Sequence, residues 1–400
     1  KFRRFRYGVQ VNSLGLTEQQ PENNVYRILV EMLAVTLSKK ARARAVQLPA
    51  WNEALGLPRP WDQQWSMRMQ QIMAFETDLL EYEDLFEGNQ VVEAKVEALK
   101  ASARYELETI ETQGGALNAI EYMKSRLVES NADRLQNIES NVTTVVGVNK
   151  FTKTEKSPLV SGDGGIMTVD PAVEKDQIDR LNLWRTNRDE KLVNKALNSL
   201  RQAALHGKNI MLPSIEAAKA GATTGEWAQE MRNIYGEYRG PTGVATGISN
   251  KTGGLDELRS AVDAVSDKLG ERLKFLMGKP GLDGHSNGAE QIASRARDCG
   301  MKIEYQGIRL TPQELVENVK STKAHVVGLS ILSGSHIPLV QDIINLLAKE
   351  GLTKIPIVVG GIIPEEDKIK LLEMGISKVY TPKDFEMNTI MMDIVNLAEP

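Results

Sequence analysis

Apolar residues follow two different periods along the chain, and the change of period divides it. From Glu271 onward, short apolar runs that are typical of buried strands alternate with helical stretches. The runs cover residues 273–277, 302–305, 324–329, 355–359 and 378–380. Five strands with helices between them predict a doubly wound parallel sheet of the α/β class.

The earlier part has mainly the helical period. It predicts a helix over 21–38, a short strand over 45–48, a loop over 51–58, amphipathic helices over 91–112 and 116–142, a strand over 145–149 and a helix over 176–204. Residues 237–254 are rich in glycine and poor in large apolar side chains, which indicates a linker. We therefore predict domain boundaries at 1–90, 91–236, 237–268 for the linker, and 269–400.

Composition excludes several classes of function. With 400 residues, 41% of them hydrophobic, the chain can hold two or more domains. A net charge of -4 and a pI near 5.8 argue against nucleic acid as the main partner. No apolar run approaches the roughly 20 residues of a membrane span, and no signal peptide is visible. The single cysteine, Cys299, excludes an internal disulfide and favours a reducing, cytoplasmic location.

The start of the chain affects what can be expected of it. There is no initiator Met, and the first residues have the alternation of a strand. We therefore expect the sequence to be part of a longer translation product.

The first candidate functional residues lie in the loop after the first strand of the predicted sheet, where Asp283, His285 and Gly288 form an Asp-x-His-x-x-Gly pattern. A ligating histidine needs its second ring nitrogen held by a carboxylate or carbonyl, and Asp283 can provide this. Gly288 allows close backbone approach. The pattern alone is weak, because a solvated turn explains a histidine in a glycine-rich loop equally well.

Two further patterns follow strands of the same sheet. The third strand runs into Ser330-Ile331-Leu332, and the fourth runs into Gly360-Gly361. If the strand order is the flavodoxin-like 2-1-3-4-5, the loops after the first and third strands lie at the switch point where ligands are expected. The three patterns together resemble the cobalamin-binding domain shared by acyl-CoA mutases and methionine synthase.

That resemblance implies a role for each pattern. His285 would replace the cofactor's own dimethylbenzimidazole as the lower cobalt ligand, with Asp283 and Lys279 behind it as a relay. The displaced nucleotide tail would enter a slot beside Ser330 and Leu332. Its end would lie against Gly360 and Gly361, where no side chain obstructs it.

Other polar residues near these patterns have more ordinary explanations. Asn287 and Glu290 have the spacing of a helix-capping pair. His325, inside an apolar run, is expected to be a core histidine with satisfied hydrogen bonds. His336 lies just past the third strand, where it either faces the corrin ring or has no contact with it.

The beginning of the chain resembles the last part of the substrate-binding (β/α)8 barrel of cobalamin-dependent acyl-CoA mutases. The matching sequence segments are Arg6-Tyr7-Gly8-Val9-Gln10, Leu16-Thr17-Glu18-Gln19-Gln20-Pro21-Glu22-Asn23-Asn24, Asn52-Glu53-Ala54-Leu55-Gly56-Leu57-Pro58 and Val145-Val146-Gly147-Val148-Asn149-Lys150. The resemblance implies that Gln10 contacts the substrate's carboxyl or thioester group and that Glu53 bonds the adenosyl ribose. Without the resemblance, we would expect Gln10 to be a polar strand residue and Glu53 to be a helix cap.

The whole chain is then expected to be the C-terminal part of a barrel, a helical connecting region and a flavodoxin-like cobalamin-binding domain. Methylmalonyl-CoA mutases have His where this chain has Gly8, and Thr-Asn where it has Leu48-Pro49. In these positions the chain resembles the ethylmalonyl-CoA mutases of the family. The resemblance implies adenosylcobalamin, with its cobalt, as cofactor and an acyl-CoA thioester as substrate. The implied reaction is radical interconversion of ethylmalonyl-CoA and methylsuccinyl-CoA by a full-length homodimer.

Three alternatives stay open at this point. The chain could belong to a methylmalonyl-CoA mutase, to a corrinoid methyl carrier without isomerase activity, or to a flavodoxin-like module that binds no cobalt. Because only the last barrel strands are recognisable, we expect these 400 residues alone to bind cobalamin with little or no turnover.

Overall fold

A computed structural model describes residues 5–160, 164–168, 170–244, 255–332, 334–384 and 386–400 of the protein. The chain divides into two compact units. The first comprises Lys1–Met167 and Pro241–Pro400, and the second comprises Thr168–Gly240. Each is described separately below.

The first unit begins with two parallel βα repeats, the building block of a (β/α)8 barrel. They consist of β1 (Val9–Gln10), α1 (Asn23–Leu37), β2 (Val46–Gln47) and α2 (Pro60–Phe75). The strands pair in parallel with Gln10 opposite Gln47. Ile28 and Met32 of α1 pack with Trp51 in a small core, which fixes the loop after β2.

Two long helices, α3 (Gln90–Thr112) and α4 (Ile120–Glu139), follow these repeats. The strand predicted over 145–149 is wrong. These residues form a turn in which Gly147 has φ 84°, and the side chain of Asn149 accepts from the backbone N–H of Val145 and donates to the carbonyl of Thr143. A run of valines indicated a strand, but glycine and asparagine at these positions stabilise the turn.

The second unit is a small helical bundle. Its helices are α5 (Pro171–Asn187), α6 (Glu190–Leu205), α7 (Met211–Ala220) and α8 (Thr224–Tyr235). The single helix predicted over 176–204 is wrong, because Asp189 caps a new helix by accepting from the N–H groups of Lys191 and Leu192. Arg188, at the break, forms a bidentate ion pair with Glu226 of α8.

The rest of the first unit is a five-stranded parallel sheet with helices on both faces. Its elements are α9 (Asp256–Leu269), β3 (Lys274–Gly278), α10 (Asn287–Asp298), β4 (Lys302–Tyr305), α11 (Pro312–Thr322), β5 (Val326–Ser330), α12 (His336–Lys349), β6 (Ile357–Gly360), α13 (Glu365–Glu373), β7 (Lys378–Tyr380) and α14 (Met387–Leu397). The order β4-β3-β5-β6-β7 is the predicted 2-1-3-4-5, which is thus confirmed. Two buried clusters cover the two faces of the sheet.

The predicted linker contains structure of its own. Helix α9 lies within it, and Leu258, Val262 and Val265 of this helix belong to the core on one face of the sheet. Residues 245–254 of the same linker lie outside the described part of the chain. The four domain boundaries stay predictions. None of the helices in the described residues is both long and apolar enough to cross a membrane.

Candidate functional site

The predicted site residues lie at the carboxyl edge of the five-stranded sheet. Leu329 lies opposite Gly278, and Ser330 lies opposite Gly360 in the parallel register. The loops after β3, β5 and β6 therefore begin side by side. In a sheet of this topology, this edge is where ligands bind.

A hydrogen-bonded chain of three side chains forms in the loop after β3. The ammonium group of Lys279, which is fully buried, lies 2.7 Å from Asp283 Oδ2 and 3.5 Å from the carbonyl oxygen of Ser330. Asp283 Oδ1 accepts from the backbone N–H of His285 at 3.0 Å and lies 2.7 Å from its Nδ1. The structure thus brings Lys279, Asp283 and His285 together.

The charge of Asp283 determines what the imidazole can do. Burial raises the pKa of this carboxyl group, but hydrogen bonds from Lys279 and His285 lower it more, to about 2. An ionised carboxylate only accepts, so the proton of a neutral His285 ring lies on Nδ1 and a lone pair on Nε2. The side chain of His285 is 81% exposed, and its Nε2 has no partner among the described residues. This nitrogen is available to a ligand.

Glycine is required in this loop at Gly281, which has φ 86°. A Cβ there would also approach Leu339 Cδ1 of α12 to 2.9 Å. Gly288 is different, because a Cβ there would meet nothing within 4 Å. Space for a ligand is therefore present at Gly288.

The predicted cap of α10 is wrong. The helix begins at Asn287 without a side-chain cap, and Glu290 pairs with Lys124 of α4 at 2.6 Å. A buried carboxylate gains more from an ammonium partner than from a backbone N–H group at a helix end.

Ser330 and the glycine pair lie against each other. Ser330 is 6% exposed, and the N–H of Ile331 donates to the carbonyl of Gly360 at 2.9 Å. A Cβ on Gly361 would clash with the carbonyl oxygen of Ile331, whereas one on Gly360 would find only ordinary contacts at 3.9 Å. Glycine at 361 is therefore required by the protein itself, and glycine at 360 leaves space. Leu332 follows on the same loop.

Two other histidines of this domain are held by protein groups. Nδ1 of His325 accepts from the N–H of Lys274 at 2.9 Å, in agreement with a core histidine. His336 is 1% exposed, with Nε2 3.0 Å from the carbonyl oxygen of Ile362 and Nδ1 3.3 Å from Asp367. Burial lowers the pKa of His336, and the nearby Asp367 partly opposes this. Both ring nitrogens of His336 face protein atoms and not a ligand.

Gln10 and Glu53 lie in the N-terminal repeats. Gln10 ends β1, and Glu53 lies in the loop after β2, so both are at the carboxyl edge of this strand pair. Neither side chain forms a hydrogen bond with another described residue. Glu53 does not cap α2, whose N-cap is Arg59.

Sequence reasoning missed the buried carboxylate that holds this loop. Asp62 accepts from Trp51 Nε1 at 2.9 Å, from Asn52 Nδ2 at 2.8 Å and from Arg59 Nε at 3.0 Å. Burial raises the pKa of Asp62, but these donors, Arg59 first, lower it below its ordinary value. A proline at the first helical position followed by Asp62 is a helix-start signal that could have identified it.

The loops of the strand pair contact the loops of the five-stranded sheet. Glu18, which follows β1, forms an ion pair with Lys383 after β7 at 2.7 Å. A Cβ at Gly334, after β5, would lie 3.7 Å from Leu57 Cδ1, in the loop after β2. The two carboxyl edges therefore face each other, which brings Glu53's loop and the His285 edge to the same side.

The donor set fits cobalt carried by a corrin. No group of three or more His, Cys, Asp or Glu that could hold a metal occurs among the described residues. One outward imidazole with its proton fixed on the far nitrogen can add one axial ligand to a metal whose other ligands come from a cofactor.

Comparison with known proteins agrees with this geometry. Residues 1–237 match the family model described as methylmalonyl-CoA mutase, and residues 273–382 match the one described as B12 binding domain. The second match confirms the predicted cofactor class, a cobalamin, and the α/β fold class predicted from the sequence is confirmed as well.

Three relatives show how much of a longer protein the chain spans. Over its whole length it is 67% identical to an ethylmalonyl-CoA mutase of Cereibacter sphaeroides, of which it covers 61%. It is 60% identical to one of Methylorubrum extorquens, covering 58% of that protein. Over 97% of its length it is 30% identical to the methylmalonyl-CoA mutase of Escherichia coli, covering 55%. The family model covers more than half of the chain, which therefore belongs to the methylmalonyl-CoA mutase family.

Proposed function

We propose that the protein is an adenosylcobalamin-dependent isomerase that interconverts ethylmalonyl-CoA and methylsuccinyl-CoA. The observation that carries the cofactor part is the hydrogen-bonded chain from Lys279 through Asp283 to the exposed ring of His285. The substrate is supported by identities of 67% and 60% with two ethylmalonyl-CoA mutases, against 30% with a methylmalonyl-CoA mutase.

His285 would hold the cobalt of the cofactor through Nε2. Asp283 holds the proton on Nδ1 and orients the ring, and the buried ammonium of Lys279 keeps Asp283 ionised. The cofactor, when bound, supplies the organic radical that removes hydrogen from the substrate. The residues of this chain bind and orient it.

The segments that follow β5 and β6 would hold the nucleotide end of the cofactor. Ser330 and Leu332 line one side, and Gly360 and Gly361 line the other. Gly288 gives space at the start of α10, in agreement with the empty volume where its Cβ would be. These assignments rest on the shared sheet edge and on the resemblance.

Gln10 and Glu53 act on the substrate side, Gln10 on the carboxyl or thioester group and Glu53 on the adenosyl ribose. Both lie at the carboxyl edge of β1 and β2, where the active sites of (β/α)8 barrels are found. Gly8 supports the larger substrate, since a glycine leaves room beside Ala45. One methylene discriminates by only about 1–3 kcal/mol, so the pocket alone gives a moderate preference.

Isomerase activity is proposed for the whole protein. The chain spans about three fifths of its relatives, and the described residues contain two barrel strands. An open strand pair does not exclude water from a radical. We expect the 400 residues alone to bind cobalamin and to turn over little substrate; turnover at the rate of the whole protein would contradict this. The homodimer and the cytoplasmic location stay predictions.

The role of His285 can be tested by electron paramagnetic resonance of cob(II)alamin bound to protein labelled uniformly with ¹⁵N. An axial protein imidazole changes the nitrogen splitting from a triplet to a doublet, and His285→Ala abolishes the doublet. His206→Ala, which alters an exposed histidine of the second unit, is the matched control and keeps it. A persisting triplet in the parent would show that the cofactor retains its own base, and the proposed role would fail.

The substrate and the rival functions need separate measurements. The whole protein is expected to convert ethylmalonyl-CoA with a higher kcat/KM than methylmalonyl-CoA, and the reverse order would favour a methylmalonyl-CoA mutase. A preference for methylcobalamin over adenosylcobalamin would favour the methyl carrier.

A further inference from the structure

His336 is a buried histidine that has no role in the proposed chemistry. It begins α12, four residues after Leu332, and is 1% exposed. Burying an imidazole is unfavourable unless its nitrogens have partners. The identity of those partners indicates what the residue does.

The partners of His336 lie on the neighbouring loop of the sheet edge. Its Nε2 lies 3.0 Å from the carbonyl oxygen of Ile362, the residue that directly follows Gly361. Both partners are acceptors, and the carbonyl oxygen of Ile362 is the closer one, so we place the ring proton on Nε2, which donates it to Ile362. Nδ1 lies 3.3 Å from Asp367 in the first turn of α13. His336 thus joins the segment after β5 to the segment after β6.

These are the two segments between which the nucleotide end of the cofactor is proposed to lie. The backbones of Ile331 and Gly360 are joined directly by a hydrogen bond at 2.9 Å. Beyond that bond, Gly361 packs closely against the backbone of Ile331, and the two segments continue as Leu332 and Ile362. The His336–Ile362 bond is a further connection between the two segments among the described residues, and it restrains the distance between them after they leave the sheet.

The first turn of α12 has a second contact at this edge. Leu339 approaches Gly281, in the loop that carries His285, so closely that a Cβ would be 2.9 Å from its Cδ1. Movement of the start of α12 would therefore alter both loops. The bond to Ile362 restrains that movement.

We propose that His336 is a positioning residue for the nucleotide end of cobalamin, holding the segments after β5 and β6 at the separation that this end of the cofactor requires. The inference rests on the proposed cofactor binding and adds a specific determinant of it. Binding loops that are already ordered lose less conformational entropy when the ligand binds. Removal of the bond should therefore weaken contacts to the tail and leave contacts to the corrin unchanged.

Cobinamide gives a direct test, because it keeps the corrin and cobalt but lacks the nucleotide tail. The dissociation constants of aquocobalamin and diaquocobinamide would be measured by absorbance for the parent and three variants. His336→Gln retains a donor near the position of Nε2, and His336→Asn is too short to reach Ile362. His325→Gln, which changes a partly buried histidine elsewhere in the domain, is the control. Thermal unfolding without ligand shows whether each variant is folded.

The proposal expects His336→Asn to bind aquocobalamin about 10-fold more weakly while its affinity for diaquocobinamide stays the same, the loss typical of a removed ordering hydrogen bond. His336→Gln should restore most of the difference, and His325→Gln should behave as the parent does. Equal weakening for both corrinoids, or no weakening at all, would overturn the role of His336. A parent that binds both corrinoids equally would instead overturn the tail site on which the inference rests.

Discussion

At the residue scale, the ion pair between Lys279 and Asp283 should contribute strongly to stability. Lys279 is fully buried, and its ammonium lies 2.7 Å from Asp283. Replacing Asp283 by Ala leaves an unpaired buried charge, so we expect the free energy of unfolding to fall by about 3–5 kcal/mol. Guanidinium unfolding followed by circular dichroism would measure it.

The same pair predicts a pH dependence. The pKa of Asp283 is lowered from 3.8 to about 2, so the folded state favours the ionised carboxyl group. Its stabilisation is complete above the ordinary pKa and is lost as the pH falls through about 2. Combining Lys279→Met with Asp283→Ala removes both charges and should recover most of the loss. A double variant as unstable as Asp283→Ala would contradict the ion-pair explanation.

Gly288 and Gly361 should respond differently to alanine, although both were predicted from patterns of the same cofactor-binding resemblance. At Gly361 the new methyl group would clash with the backbone of Ile331, so Gly361→Ala should lower the melting temperature without cofactor. Gly288 is helical and a Cβ there would meet no atom within 4 Å, so Gly288→Ala should keep or raise the melting temperature. Cobalamin titration should show weaker binding for Gly288→Ala; unchanged affinity would mean that the cofactor does not use this space.

At the element scale, the loop between β2 and α2 depends on Asp62. Asp62→Ala leaves Trp51 Nε1 without an acceptor and leaves Asn52 Nδ2 with only the carbonyl of Gly165, and an unpaired buried donor costs about 1–3 kcal/mol. We expect the whole protein to lose turnover through displacement of Glu53 while cobalamin binding is unchanged. Asp78→Ala, at an exposed carboxylate just beyond α2, is the control. Equal loss of cobalamin binding would show that the defect is general unfolding.

The elements of the sheet could be predicted because their signals are local. A buried parallel strand is a continuous apolar run, and the strands at 274–278 and 326–330 lie within two residues of their predicted bounds. Errors occurred where a local turn or cap interrupts an apolar pattern, as at Asn149 and Asp189, and where a distant partner decides. Glu290 leaves its predicted cap for Lys124, which is 166 residues away.

The residues of the candidate site also differ in how local their sequence signals are. The loop of His285 could be predicted from a short pattern, because Asp283 and Lys279 are close to it in sequence. The contacts of His336 with Ile362 and of Asp62 with Trp51 could not, because neither follows from the spacing of residues within one loop. Contacts within one loop were thus easier to predict than contacts between separate segments of the chain.

At the scale of the whole molecule, the important feature is that two carboxyl edges meet within the first unit. The contact is partly polar, with Glu18 bonded to Lys383 and the amide of Gln19 donating to the carbonyl of Pro382 at 3.4 Å. The hydrogen bond with Glu18 raises the pKa of Lys383, so the ammonium group of Lys383 stays ionised across the neutral range. A site formed from both edges requires that the two edges keep their relative position.

Charge exchange between Glu18 and Lys383 tests whether their pair holds the edges together. Glu18→Lys and Lys383→Glu each place like charges at the contact, so amide hydrogen exchange should become faster in the loops after β1 and β7. The double exchange restores an opposite pair and should slow it again. Because Lys383 is 61% exposed, the effect on overall stability should be no more than about 1 kcal/mol. Unchanged exchange in both single variants would show that the apolar contact of Leu57 is sufficient to hold the edges.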